Sequence, residues 1–133
     1  MANWWRFRRW FSEPARSARR GRAAERGARR FLERRGLELI ARNFRCRAGE
    51  IDLVMQDGGT IVFVEVRLRT RTEWGSAAES IGFRKRARLV RAARAFLAGH
   101  PGFVDPPCRF DAVSVTRPHY RLRYEWIRDA FAP

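Results

Sequence analysis

Residues 51–68 read IDLVMQDGGTIVFVEVRL and carry the strongest secondary-structure signal in the chain. Two runs rich in β-branched residues, Ile51–Gln56 and Thr60–Leu68, flank the turn sequence Asp57-Gly58-Gly59. Such runs around an Asp-Gly turn predict a β-hairpin. Both runs are apolar at nearly every position, which is typical of strands that are buried on both faces. We therefore expect other elements to cover both faces of this hairpin.

Two carboxylates interrupt these apolar runs. Side chains alternate along a strand, so Glu65 and Arg67 share one face. A two-residue loop pairs Asp57 with Thr60 and places Asp52 opposite Glu65. A four-residue loop also places Asp52 opposite Glu65, whereas a loop with an odd number of residues would not. Facing carboxylates repel each other, and a hard divalent cation between them would remove that repulsion. The same residues also fit an ordinary cross-strand charge network on a solvated face, but their apolar neighbours favour a buried site, where charges need a partner.

The other elements follow from apolar spacing and from glycine and proline positions. The pattern predicts helices at Gly21–Arg35 and Phe83–Ala98, strands at Leu37–Phe44, Phe110–Thr116 and Tyr120–Trp126, and a short helical turn in Ile127–Phe131. Glu25 lies on the flank of the apolar stripe of the first helix. The order α-β-β-β-α-β-β indicates an α/β layered domain with a mixed β-sheet flanked by helices.

The charge of the chain is its clearest functional signal. The 133 residues suffice for one domain, and 29 Lys+Arg against 14 Asp+Glu give a formal net charge of +15. Such a surface attracts polyanions, so nucleic acid is the leading partner and an anionic membrane surface the second. Lys85 is the single lysine, which indicates a general preference for arginine. Because of that preference, the presence of any one arginine says little about function. The preference does not account for the net charge.

Several classes of protein are disfavoured by the sequence. No apolar run approaches the ~18 residues of a membrane span, and no signal peptide is apparent. Cys46 and Cys108 stand far apart, which argues against structural zinc and favours reduced thiols in a cytoplasm. No serine nucleophile motif or phosphate-binding glycine loop is present. Glu50 precedes Ile51 and is expected to face away from Asp52.

The segment Met1–Arg20 differs from the rest of the chain. It combines Trp4, Trp5 and Trp10 with several arginines. A flexible basic tail is one interpretation, with a single domain over residues 21–133. An arm that stacks on nucleic acid and an amphipathic helix at a membrane surface are the alternatives; membrane docking is the least favoured of the functions considered.

The hairpin also carries a family resemblance. Residues 49–54 (GEIDLV) and 62–67 (VFVEVR) resemble the GEIDLI…VFVEVK signature of the small bacterial YraN family. The similarity extends over about Gly21–Phe131. It includes Ala24-Glu25, Arg42-Asn43, Gly75, Lys85, Arg109-Phe110-Asp111 and Asp129-Ala130-Phe131.

This resemblance implies a restriction-endonuclease-like PD-(D/E)XK core, because YraN proteins are predicted endonucleases related to archaeal Holliday-junction resolvases. It implies metal-dependent cleavage of branched or structured DNA. Mg²⁺ or Mn²⁺ would be held by Asp52, Glu65 and the Val66 carbonyl, with Glu25 as an extra acid. RNA is a further candidate substrate, and association with the nucleoid is expected. Resolvases act as symmetric dimers, so a homodimer is expected, with the last strand as a candidate edge.

The sequence departs from the family pattern at one position. Arg67 stands where the motif has lysine, and arginine cannot be deprotonated in a protein, so it cannot serve as a general base. Arg67 can still stabilise negative charge on a phosphorane-like transition state. Lys85 is a candidate substitute, although a snorkelling lysine at a helix start explains it too. A catalytically silent nucleic-acid-binding module is therefore the alternative function.

The arginine-rich helix faces are expected to hold the phosphate backbone. The residues assigned to nucleic-acid binding are Arg22, Arg26, Arg29, Arg69, Arg71 and Trp74.

Overall fold

The computed structural model describes residues 15–69, 81–103 and 105–133, with the backbone alone at 15–20. The predictions for residues 1–14, Arg71 and Trp74 lie outside these ranges. The helices and strands are α1 (Ala15–Glu33), β1 (Glu38–Cys46), β2 (Gly49–Asp57), β3 (Thr60–Leu68), α2 (Phe83–Ala98), β4 (Cys108–Thr116) and β5 (Arg123–Phe131).

The five strands form one mixed sheet in the order β1-β2-β3-β4-β5. Neighbouring strands are antiparallel except for β3 and β4, which are parallel and are connected through α2. A parallel pair needs such a crossover, because the chain must return to the same end of the sheet. The predicted α/β fold with a mixed sheet is confirmed, and it is consistent with a restriction-endonuclease-like core.

Among the described residues, one helix packs on each face of the sheet. Ala28 and Leu32 of α1 pack with Val62 and Val64 of β3 on one face. On the other face, a second buried cluster joins α2 to the sheet, with Leu89 and Phe96 packed among Ile61, Phe63 and Phe110. Both β3 faces are therefore buried, which explains why its sequence is apolar without alternation.

The largest differences from the predicted elements are at the start of α1 and the end of β5, while other boundaries differ by up to three residues. Helix α1 begins at Ala15, six residues before the predicted Gly21. Ala15–Arg20 is composed of residues that a helix accommodates, so the end of the predicted tail belongs to the helix. The predicted helical turn at Ile127–Phe131 is the second half of β5, where Ile127 pairs with Ala112 and Phe131 with Phe110. Local propensity is overridden there by pairing with β4.

A buried ion network holds the end of the sheet at the β2–β3 turn. Asp111 is fully buried and accepts hydrogen bonds from Arg109, from the indole N–H of Trp126 and from the backbone N–H of Asp129. Arg109 also donates to Asp57 at 2.8 Å. The network joins β4, β5 and the hairpin.

No helix within the described ranges has both the length and the apolar character that crossing a bilayer requires.

Candidate metal centre and nucleic-acid interface

The site lies where β2 begins and β3 ends. The β2–β3 ladder runs from Asp57 opposite Thr60 to Leu53 opposite Val64, as a two-residue loop requires. The next position along β2 is Asp52, whose Oδ2 accepts a hydrogen bond of 2.7 Å from the backbone N–H of Val66. The predicted hairpin register is therefore confirmed up to the position of the site.

The side-chain alternation of β2 reverses at Asp52. Ile51 and Val54 are three residues apart, yet both belong to the cluster under α2, whereas strict alternation would place them on opposite faces. Their partners in β1, Phe44 and Ala41, pack against the same cluster. Between these partners Asn43 has φ +52°, a left-handed conformation that asparagine tolerates better than most residues. The reversal therefore involves both strands.

This reversal brings together carboxylates from two elements. Glu25 of α1 is hydrogen-bonded by the side chains of Asn43 and Asp52. Single carboxylate oxygens of Glu25, Glu50 and Asp52 all lie within 4.8 Å of one another. Carboxylate oxygens are the ligands that Mg²⁺ and Mn²⁺ prefer, so this group could hold a divalent cation.

Glu50 lies beside Asp52, which corrects the prediction that it faces away. Residues i and i+2 of a strand share a face, so alternation itself places Glu50 on the side of β2 that carries Asp52. That spacing was the sequence signal for Glu50, and the reversal of β2 brings both carboxylates to Glu25 of α1. Glu50 also forms an ion pair with Arg45, with 3.3 Å between Arg45 Nε and Glu50 Oε1.

The carboxylate group has unusual electrostatics. Burial and the charge of Glu50 raise the pKa of Glu25 to about 7. Burial, followed by the charges of Glu65 and Glu25, raises the pKa of Asp52 well above its ordinary value. Crowded carboxylates resist losing their last protons, and a bound cation would favour the ionised forms.

Glu65 is paired with a cation from the opposite helix. Only 6% of Glu65 is exposed, and its Oε1 forms an ion pair with Nζ of Lys85 on α2. The charge of Glu65 also acts on Asp52, so the two carboxylates belong to one electrostatic site. Arg67 follows two positions later in β3 and is half-buried. The structure thus brings Glu25, Asp52, Glu65 and Lys85 into one region.

The arginines assigned to nucleic-acid binding have different surroundings. Arg22 and Arg26 are exposed on α1, on either side of Glu25 in sequence. Arg29 is half-exposed and pairs with Glu33 at 2.8 Å. Arg69 is only 9% exposed, which leaves it little surface to offer to a nucleic acid.

Comparison with known proteins places the chain in a family. The profile of the uncharacterised protein family UPF0102 matches residues 24–115. This chain belongs to that family. The predicted membership of the YraN-type family is thereby confirmed.

Relatives in UPF0102 cover most of the chain. A UPF0102 protein of Stutzerimonas stutzeri is 50% identical over 111 residues, which is 84% of this chain and 92% of its own length. One from Ralstonia nicotianae is 52% identical over 122 residues, 89% of this chain and 90% of its own length. The family match contains every residue of the site from Glu25 to Lys85, whereas β5 lies beyond it.

Proposed function

We propose that this UPF0102 protein is a metal-dependent endonuclease that acts on branched or structured DNA. The observation that carries the proposal is the group of Glu25, Glu50 and Asp52, whose oxygens approach within 4.8 Å of one another beside Glu65. Four acidic side chains crowded at one end of a sheet repel one another, and burial adds to the cost of their charges unless a cation neutralises them.

A bound Mg²⁺ or Mn²⁺ would activate a water ligand and contact the scissile phosphate. Asp52 and Glu65 take the acidic positions of the PD-(D/E)XK pattern, and Glu25 and Glu50 add oxygens from the α1 side. The hydrogen bond from Val66 N–H fixes the orientation of the Asp52 carboxylate for a ligand role.

The cationic roles divide between two residues. Arg67 remains charged and stabilises negative charge that develops on the phosphate. Lys85 already holds its ammonium group against Glu65, so it supplies a cation where the motif lysine would lie. The net positive charge holds the polyanion near the site and would place the protein with the nucleoid in the cytoplasm. Two copies of the chain would cut the two strands of a junction, with the edge strand β5 as the candidate contact.

The test is cleavage of a labelled four-way junction, a flap, a plain duplex and a structured RNA with Mg²⁺, Mn²⁺ or EDTA. We expect metal-dependent cutting of branched DNA, and its loss in Asp52→Asn with DNA binding retained. Glu38→Gln, which removes an exposed carboxylate from β1, is the matched control and should cut normally. Full activity of Asp52→Asn would overturn the assignment of Asp52 to the active site. Cleavage of RNA alone would identify RNA, and not DNA, as the substrate.

A catalytically silent DNA-binding module is the second candidate. It is favoured by the ion pair of Lys85 with Glu65, which neutralises a carboxylate that the nuclease needs for its cation. Tight binding with no cutting in either metal would support this candidate. Cleavage restored by Arg67→Lys would then show that the arginine alone accounts for the silence.

A further inference from the structure

The exposed large apolar side chains of the described residues lie at one end of the sheet. They are Leu68, Phe83, Tyr120 and Leu122, with exposed fractions of 44%, 87%, 93% and 37%. Leu68 ends β3, and its parallel neighbour in β4 is Val115. The turn that carries Tyr120 and Leu122 follows directly after β4, so it projects from the same end as Glu65.

Phe83 reaches this end from the other helix. It is the first residue of α2, two positions before Lys85, whose Nζ contacts Glu65. The two most exposed of these rings therefore lie at the carboxylate end of the sheet, one on α2 and one in the β4–β5 turn.

The β4–β5 turn adopts a backbone conformation that is unfavourable for its residues. His119 and Tyr120 have φ of +51° and +65° in and around the 3₁₀ turn Pro118–Tyr120. This region of backbone conformation is unfavourable for a residue that carries a Cβ. Burial of the two rings does not offset this unfavourable conformation, since His119 and Tyr120 are both exposed. Backbone strain of this kind is typical of binding segments.

The charges around both rings identify the chemistry of the ligand. Exposed arginines at 117, 121 and 123 surround Tyr120, and exposed arginines at 84 and 88 follow Phe83. No acidic residue occurs between Asp111 and Glu125. An apolar protein partner would have to desolvate these guanidinium groups. A nucleic acid instead pairs with them through phosphates and offers its bases to the rings.

We propose that Tyr120 and Phe83 stack on unpaired bases beside the scissile phosphate, so that the substrate is DNA with unstacked nucleotides. This inference rests on the proposed function. In a continuous duplex each base is covered on both sides by its neighbours, which leaves no face for a ring. At a branch, bulge or single-stranded end a base face is free, and the two rings select such sites.

The experiment measures binding of the full chain in EDTA to two DNA probes of equal length. One is a perfect duplex, and the other carries a bulge of two unpaired bases, one of them 2-aminopurine. We expect Tyr120→Ala and Phe83→Ala each to weaken binding of the bulged probe about five- to hundredfold, with little change for the duplex. The 2-aminopurine fluorescence, quenched by the wild type, should recover in both variants, whereas Tyr120→Trp should restore quenching.

Arg121→Ala is the matched control from the same turn. It should weaken binding of both probes by the same factor, because phosphate contacts carry no information about base stacking. Equal losses for both probes in Tyr120→Ala and Phe83→Ala would overturn the stacking role while leaving the nuclease proposal intact. A change of oligomeric state in these variants, with unchanged discrimination, would assign the rings to self-association instead. If the wild type binds neither probe, the proposed function fails, and the stacking role fails with it.

Discussion

Glu25 is the residue whose titration couples the site to stability. Its pKa is raised from 4.5 to about 7 in the folded protein, because burial and Glu50 disfavour the charged form. The folded state therefore binds more protons than the unfolded state between these values. The free energy of unfolding falls as pH rises through this interval, since deprotonation costs more in the folded protein. Asp52, whose pKa is also raised, acts in the same direction.

We therefore expect Glu25→Gln to flatten the decline of stability between about pH 4.5 and pH 7. The measurement is urea denaturation at several pH values in EDTA, with Glu38→Gln as the control that keeps the wild-type slope. Added Mn²⁺ should also reduce the slope in the wild type, because the cation takes the place of the proton. An unchanged slope in Glu25→Gln would show that this carboxyl is not titrating in the interval.

Glu50 shares a face of β2 with Asp52, although the sequence interpretation placed it on the opposite face. If it contributes an oxygen to the cation, Glu50→Gln should lower Mn²⁺ affinity about tenfold or more, as the loss of a ligand or its close support does. Calorimetric titration of the wild type and the variant with Mn²⁺ measures this directly. Equal affinities would restrict Glu50 to its ion pair with Arg45.

At the scale of elements, Gly27 decides how closely α1 approaches β5. A Cβ at this position would lie 1.8 Å from the hydroxyl oxygen of Tyr124. The Tyr124 ring is packed on Phe31 with 5.4 Å between ring centroids, so it has a neighbour that limits its movement. A glycine in a helix interior is otherwise unfavourable by about 0.5–1 kcal/mol relative to alanine, which indicates that close packing is the reason for this one.

Gly27→Ala should consequently destabilise the protein by about 1–3 kcal/mol, the usual cost of overpacking. Gly21→Ala in the same helix has nothing within 4 Å of the added Cβ and should be neutral or stabilising. Thermal denaturation of the two variants provides the comparison. In Gly27→Ala/Tyr124→Leu the penalty should shrink, and a purely additive double variant would contradict the steric explanation.

The elements also show what the sequence could predict. The register of the β2–β3 hairpin followed from Asp57-Gly58-Gly59 and the flanking apolar runs. The order of helices and strands followed from apolar spacing and from glycine and proline positions. The extension of β5 to Phe131 did not, because it depends on stacking against Phe110, at 4.7 Å between ring centroids. The clustering of Glu50 with Glu25 did not either, since it requires the local reversal at Asn43 and the position of α1. Contacts between segments distant in sequence thus determine the end of β5 and the position of Glu50 beside Glu25, which local sequence patterns could not predict.

The whole molecule is polarised along its strands. The network of Asp57, Arg109 and Asp111 fixes the end of the sheet at the β2–β3 turn with buried hydrogen bonds. The opposite end collects the carboxylates, the exposed rings and a strained turn. Asp111 itself lies opposite Val64, one position from Glu65. Under the proposed function, DNA approaches from the carboxylate end, where a phosphate can reach Asp52.

This polarity predicts which arginines of α1 contact DNA. Arg22 precedes Glu25 by three positions and therefore lies on the same side of the helix, whereas Arg34 follows the end of α1, about 18 Å along the axis from Arg22. Both are exposed. Arg22→Ala should lower DNA affinity for all sequences and reduce the slope of log K against log salt by about 1, the loss of one phosphate contact. Arg34→Ala should leave the slope unchanged. Binding titrations from about 50 to 200 mM salt make the comparison, and equal slopes for the two variants would show that DNA does not approach from the carboxylate end.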